Sequence, residues 1–258
     1  GILVLLVLVA IFAPVIAPYD PTYQDYSAVL AEPSMAHPFG TDEYGRDILS
    51  RIIYGSRVSL SIGIVAQVVA SLVGVTLGAV AGYYGGRIDS VISRIMEIFQ
   101  AFPDLIFAMA IMTFLGKGVL NLFIALGLLT WVRTARMIRG SVMQLKEKEY
   151  IEASRACGAS TFWIITKGLV PNCLSTIIVL VTLGIPNAIM YEASLSFLGI
   201  GIQPPTPSWG NMISAAQTFI SYRPVYSIVP GVAIMITVIA FNIFGDGLRD
   251  ALDPKLKN

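Results

Sequence analysis

Three carboxylates stand where a carboxylate is expensive. Glu97, Asp104 and Glu192 lie within or beside long apolar stretches, and an ionised side chain at membrane depth is tolerated only when paired or functional. Such groups line a substrate path, sit at an interface or pair with a neighbouring guanidinium, for which Arg94 and Arg133 are available. Glu97 and Asp104 are spaced to share one face of a helix, and Glu192 opens an Ala-Ser-Leu-Ser run. Other reactive types offer less. His37 is the only histidine and has no second soft ligand near it, so no metal site is expected. Cys157 and Cys173 lack any metal-ligand spacing and read as small apolar fillers. Gly116-Lys117-Gly118 has neither the upstream glycine nor the following Ser or Thr of a phosphate-binding loop. No cofactor is therefore expected on this chain, and energy for any transport must come from a partner or an ion gradient.

The elements that position these groups are helices in a membrane. Of 258 residues, 55% are hydrophobic and 13% charged, about half the charge of an ordinary soluble domain. Residues 1–17, 58–86, 118–132, 168–191 and 224–245 contain no Asp, Glu, Lys or Arg. A bilayer core of ~30 Å takes about 20 helical residues, and only helices or closed barrels satisfy the backbone there. No alternating segments of barrel type occur. The expectation is an all-α integral membrane protein with six transmembrane helices, at about 1–17, 58–82, 94–115, 119–138, 173–198 and 226–245. The run 1–17 reads as the end of an uncleaved anchor continuing upstream, because no small-residue cleavage site closes it. Pro204, Pro205 and Pro207 forbid a continuous helix after the fifth span, leaving a loop with a short re-entrant or interfacial helix from near Ser208. Residues 41–54 read as an amphipathic helix on the outer surface, with Thr41 as cap and Asp42 and Glu43 in its first turn.

Basic residues orient the bundle. Arg87, Arg94, Arg133, Arg136, Arg139, Lys146, Lys148, Arg155, Lys167, Arg249, Lys255 and Lys257 fall on one side if the first span runs outward, placing both termini in the cytoplasm. A net charge of +1 implies no nucleic-acid partner. Along the second span Ala66, Ala70, Gly74, Gly78, Gly82 and Gly86 recur every fourth residue, a ridge that permits close helix packing within the subunit or against another.

Between spans four and five, Lys146-Glu147-Lys148-Glu149 followed by good helix formers predicts a polar helix over about 145–159, ending at Gly158. It carries Glu152-Ala153-Ser154, then Gly158, then Pro171, and its small residues would let it sit deep in a groove of another protein. This segment, about 145–171, resembles the EAA loop of ABC importer permeases, patterned Glu-Ala-Ala-x3-Gly-x9-Ile-x-Leu-Pro. Glu152, Ala153, Gly158 and Pro171 match in register, Ser154 replaces the second Ala, and Gly168 and Val170 stand where the pattern has Ile and Leu. Residues 37–47, His-Pro-Phe-Gly-Thr-Asp-Glu-Tyr-Gly-Arg-Asp, and 194–210, through Ser194-Leu195-Ser196-Phe197-Leu198-Gly199 to Trp209-Gly210, are similar to the second permease subunit of dipeptide, oligopeptide and nickel importers.

The resemblance implies a type I importer architecture: an anchor at 1–17, an extracytoplasmic segment at 18–56, a permease domain at 57–247 and a cytoplasmic tail at 248–258. It implies a prokaryotic inner-membrane protein, not an enzyme, whose helix around 152–158 couples to partners. Those partners are a sister permease, two ATP-binding subunits holding ATP and Mg, and an extracytoplasmic substrate-binding protein, all within membrane lipid. Di- or oligopeptides are the expected cargo; nickel or another small solute, or a stand-alone carrier, are the alternatives. Since a peptide carries an α-amino cation, Glu192, Glu97 and Asp104 become candidates for the translocation path. Asp42, Arg46 and Trp209 become candidates for an extracytoplasmic gate or a binding-protein contact, Trp209 alternatively anchoring at the lipid interface.

Overall fold

The computed structural model describes residues 1–252; 253–258 of the expected tail, with Lys255 and Lys257, lie outside the described residues. The helices, in order, are α1 (Ile2–Ile11), α2 (Ala13–Ile16), α3 (Ile48–Tyr84), α4 (Gly86–Gln100), α5 (Asp104–Leu115), α6 (Val119–Leu145), α7 (Glu149–Ala156), α8 (Thr161–Trp163), α9 (Leu174–Phe197), α10 (Trp209–Ala216) and α11 (Pro224–Leu252). Residues 248–252, expected in the tail, are the last turns of α11.

Helix α3 is the spine. Its 37 residues extend about 55 Å at ~1.5 Å per residue, well beyond a bilayer core. Its small-residue ridge explains how α6 approaches so closely. A Cβ on Gly74 would lie 2.7 Å from the Trp131 carbonyl oxygen, one on Gly82 2.7 Å from that of Arg139, and Gly78 abuts the Ala135 backbone. The ridge thus serves packing inside this subunit through Gly82, whereas Gly86 lies beyond the helix end in open space. Helix α9 packs on both α3 and α6, and α11 packs on α9. Leu3, Leu6 and Ala10 of α1 rest on the core formed there by Leu60, Ile185, Ile189, Ile234 and Phe241.

Four helical stretches are long and apolar enough to cross a membrane: Ile48–Tyr84, Val119–Leu145, Thr161–Phe197 and Pro224–Leu252. The expected third span is not one helix. Helices α4 and α5 meet at 92°, because Pro103 cannot continue α4 and pushes Phe102 out of the helical region. Helix α4 instead packs against α3 and α6, burying Ile92 and Met96 beside Trp131 and pairing Asp89 with Arg139 through both guanidinium donors. Thr161–Phe197 continues through a π turn at Ile164–Leu169 directly before Pro171. Pro171 lacks the amide hydrogen an α-helix needs there, and the wider turn absorbs the defect.

The 41–54 stretch also differs from expectation. Thr41 pairs with Asp47 across a tight turn, and Asp47, not Thr41, caps the helix that follows, accepting from the Ser50 amide at 2.7 Å. That helix is the start of α3 rather than a separate surface helix. Asp42 shapes the turn by accepting from the amides of Tyr44 and Arg46.

Candidate functional site

Two ends of the bundle hold the predicted residues. At the end bearing the 18–47 segment, Asp42 and Arg46 are buried and form an ion pair at 2.6 Å. Arg51, on the first turn of α3, brings its Nε to 3.4 Å from the same carboxylate and donates from Nη1 to the Pro21 carbonyl. Glu43 accepts from Tyr226 of α11 at 2.6 Å, and His37 Nδ1 meets Asp47 at 2.9 Å. The motif is therefore an internal lock between segment and bundle. Asp42 and Arg46, expected at an extracytoplasmic gate or a binding-protein contact, turn their side chains inward.

Trp209 is also internal, 1% exposed, so it does not anchor at a lipid interface. Its indole donates to the Ile52 carbonyl and its amide to Ser59. Ser208 and Asn211 cap α10 reciprocally, satisfying amides the helix cannot, which bears out a short helix starting near Ser208. Glu192 lies beneath, wholly buried on α9, accepting from Ser196 at 2.7 Å and Ser59 at 3.3 Å. It joins α3 to α9 and does not reach the cavity described next.

A cavity of about 1010 Å³ opens between the α4–α5 corner, α6 and α9, with Arg249 and Leu252 of α11 also lining it. Asp104 borders it and accepts from Tyr191 at 2.5 Å. Arg133 and Arg136 line it from α6, and Asn172, Ser175, Thr176 and Asn187 from the third long stretch. Glu97 is elsewhere. The 92° break puts it on a different helix from Asp104, where it is exposed and paired with Arg94 at 2.8 Å, so the two carboxylates share no face. Sequence reasoning passed over Tyr191, Arg133 and Arg136 as cavity residues. The signal was present as polar residues at 172, 175, 176, 187 and 191, spaced at helical intervals within an apolar span.

At the opposite end α7 stands clear of the bundle. Only Ile151 is buried, among Ile138, Val142, Ile164 and Leu169. Glu149 and Glu152 occupy its first turn and Arg155 its last, each matching the helix dipole. The helix closes at Gly158 with φ +80°, the Gly158 amide bonding to Arg155 and the Ala159 amide to Ser154, the paired bonds of a Schellman end. Glu152, Ala153, Cys157 and Gly158 are exposed and Ser154 partly so. Tyr150, Phe162 and Trp163 add exposed aromatic surface. Cys157, expected as an apolar filler, is exposed; Cys173 is buried as expected. Gly168 has a structural reason for departing from the Ile of the pattern. A Cβ there would lie 2.9 Å from Ile151 Cδ1, so the glycine makes the seat on which α7 rests.

Residues 74–258 match the model of the binding-protein-dependent transport system inner membrane component. The chain belongs to that family. Residues 1–33 match the N-terminal transmembrane domain of oligopeptide transport permease C. The permease is 45% identical over 252 residues to the dipeptide transport system permease protein DppC of Alkalihalophilus pseudofirmus, covering 98% of this chain and 83% of that protein. It is 43% identical over 255 residues to the glutathione transport system permease protein GsiD of Pectobacterium atrosepticum, covering 98% and 85%. With the oligopeptide transport system permease protein OppC of Bacillus subtilis the identity is 43% over 256 residues, covering 99% and 84%. Among solved structures, the MetNI methionine ABC transporter in an inward-facing conformation aligns with a TM-score of 0.64 at 21% identity, covering 80% of this chain and 98% of that one. That likeness establishes the permease fold. The protein is thus a multi-pass membrane component of an ABC importer, not an enzyme.

Proposed function

We propose that this permease and a sister permease together form the pathway for di- or oligopeptides, driven by two ATP-binding subunits, one of which receives α7 in a cleft. The observation that carries this is α7 itself: a short, capped helix that buries one side chain and presents Glu152, Ala153, Ser154 and Gly158 outward. A helix so placed has little to do for its own fold and a good deal to offer a groove. Pro171 acts from behind, through the π turn that carries Gly168 and so the seat of Ile151.

In this reading the α7 end is cytoplasmic, as are both termini, consistent with the basic residues gathered there. Closure of the ATP-binding dimer moves α7 and biases the bundle between inward- and outward-open states, because α7 has different contacts in each. The locked 37–51 region gives an extracytoplasmic binding protein a rigid platform, with Asp42, Arg46 and Trp209 supporting it from below. ATP and Mg belong to the partners. Peptide is favoured by the names of relatives covering nearly the whole chain; the same machine importing nickel or another small solute is the second reading.

Affinity purification of the tagged chain from native membranes tests the assembly. Two ATP-binding subunits and a sister permease should co-purify, and peptides should stimulate ATP hydrolysis by the reconstituted complex. A chain that purifies alone and moves solute without ATP would overturn the reading, and stimulation by nickel but not by peptides would select the second.

A further inference from the structure

The cavity holds charges of both signs at similar depth. Asp104 opens α5, whose 12 residues place it about 17 Å below the α5–α6 turn at ~1.5 Å per residue. Arg133 lies about 21 Å below the same turn by the same rise along α6, and Arg136 follows about one helical turn further toward the α7 end. Tyr191 occupies Oδ2 of Asp104. Among the described residues, Oδ1 accepts no hydrogen bond, and neither Arg133 nor Arg136 pairs with a carboxylate within 4.0 Å. Both guanidinium groups are exposed on the cavity side of α6. An extended chain covers ~3.3–3.6 Å per residue and packed helices stand ~8–10 Å apart. The gap from Asp104 on α5 to Arg133 on α6 therefore suits the two charged ends of a di- or tripeptide.

We propose that Asp104, steadied by Tyr191, receives the α-amino group of a short peptide and Arg133 its α-carboxylate, so that the permease itself selects free-ended zwitterions. Arg136 then offers the carboxylate its next station toward the α7 end. This rests on the peptide-import reading. A bare divalent cation would meet the three repelling guanidinium groups of Arg133, Arg136 and Arg249, and a simple anion would meet Asp104. The contacts are charge-assisted but open to water, which keeps them weak enough for the solute to leave.

The test uses the full complex with its binding protein in proteoliposomes, measuring labelled dialanine imported and ATP consumed. The binding protein is the same in every arm, so its own selection is common to all. Asp104→Asn and Arg133→Gln should each raise the ATP consumed per dialanine imported by about tenfold or more, whereas Asp104→Glu should raise it less than about threefold. Tyr191→Phe, which removes the positioning bond but keeps the carboxylate, should fall between. Unchanged ratios in both Asp104→Asn and Arg133→Gln would overturn the inference. So would failure of Asp104→Asn and Asp104→Glu alike to assemble, which would make Asp104 a packing residue. A wild-type complex that imports no peptide would instead overturn the reading beneath it.

Discussion

The two ends of this bundle spend their polar residues in opposite ways. Around residues 37–51, Asp42, Arg46 and Arg51 are buried and answer one another, and buried Asp47 is held by His37 and Ser50. Around 149–158 nearly every polar side chain faces outward and only Ile151 is inserted. Both stretches are motif-dense in the sequence, and neither density alone says which kind it is. The difference is legible only in burial. A buried ion pair that loses one partner strands a charge, so the first end resists substitution for stability. The second end could lose most of its side chains with little effect on the fold, which is why the proposed function assigns it to a partner.

That contrast predicts a ranking. Asp42→Ala leaves Arg46 and Arg51 facing each other in a buried site and should destabilise the purified protein by about 3–5 kcal/mol, read as a large fall in thermal midpoint in detergent; a midpoint unchanged within error would refute the internal lock. Gly168→Ile, which restores the family pattern, crowds Ile151 and should cost about 1–3 kcal/mol, seen as protease sensitivity confined to α7; unaltered protection would mean that α7 is seated otherwise. Ser208→Ala removes half of the reciprocal cap on α10 and should cost about 1 kcal/mol, checked by the same thermal midpoint. Glu152→Ala should shift stability by less than about 0.5 kcal/mol while lowering uptake per ATP. If its stability loss matched that of Asp42→Ala, the contrast between the ends would collapse.

Much of this was readable in the residues, and the misses have physical causes. The caps at Ser208 and Gly158 and the ridge from Ala66 to Gly82 are local patterns whose partners lie within a few residues or one helix away, so spacing sufficed. The break between α4 and α5 was signalled by Pro103, but the apolar run of Leu105–Leu115 drew the amphipathic α4 into one expected span and disguised a 92° turn. Residues 41–47 carry helix-start chemistry and yet turn, because Gly40 and Gly45 adopt positive φ and Asp42 spends its carboxylate on the turn's own amides. Glu192 and Asp104 looked alike as carboxylates in apolar sequence. Only the fold separates them, since Glu192 meets Ser59 from another helix and Asp104 meets Tyr191 beside an open cavity.

The central claim is that α7 transmits ATP hydrolysis to the bundle, and Gly158→Trp tests it most directly. Gly158 is exposed, with no atom within 4 Å of where a Cβ would stand, so the indole has room on this chain, although a side chain at positive φ strains the helix end. The measurement is peptide uptake per ATP hydrolysed in proteoliposomes, with the thermal midpoint as a control on that strain. The account predicts a collapse of coupled uptake, about tenfold or more, out of proportion to a modest fall in midpoint. Coupled uptake at the wild-type ratio, with tryptophan standing where the groove should close, would contradict it.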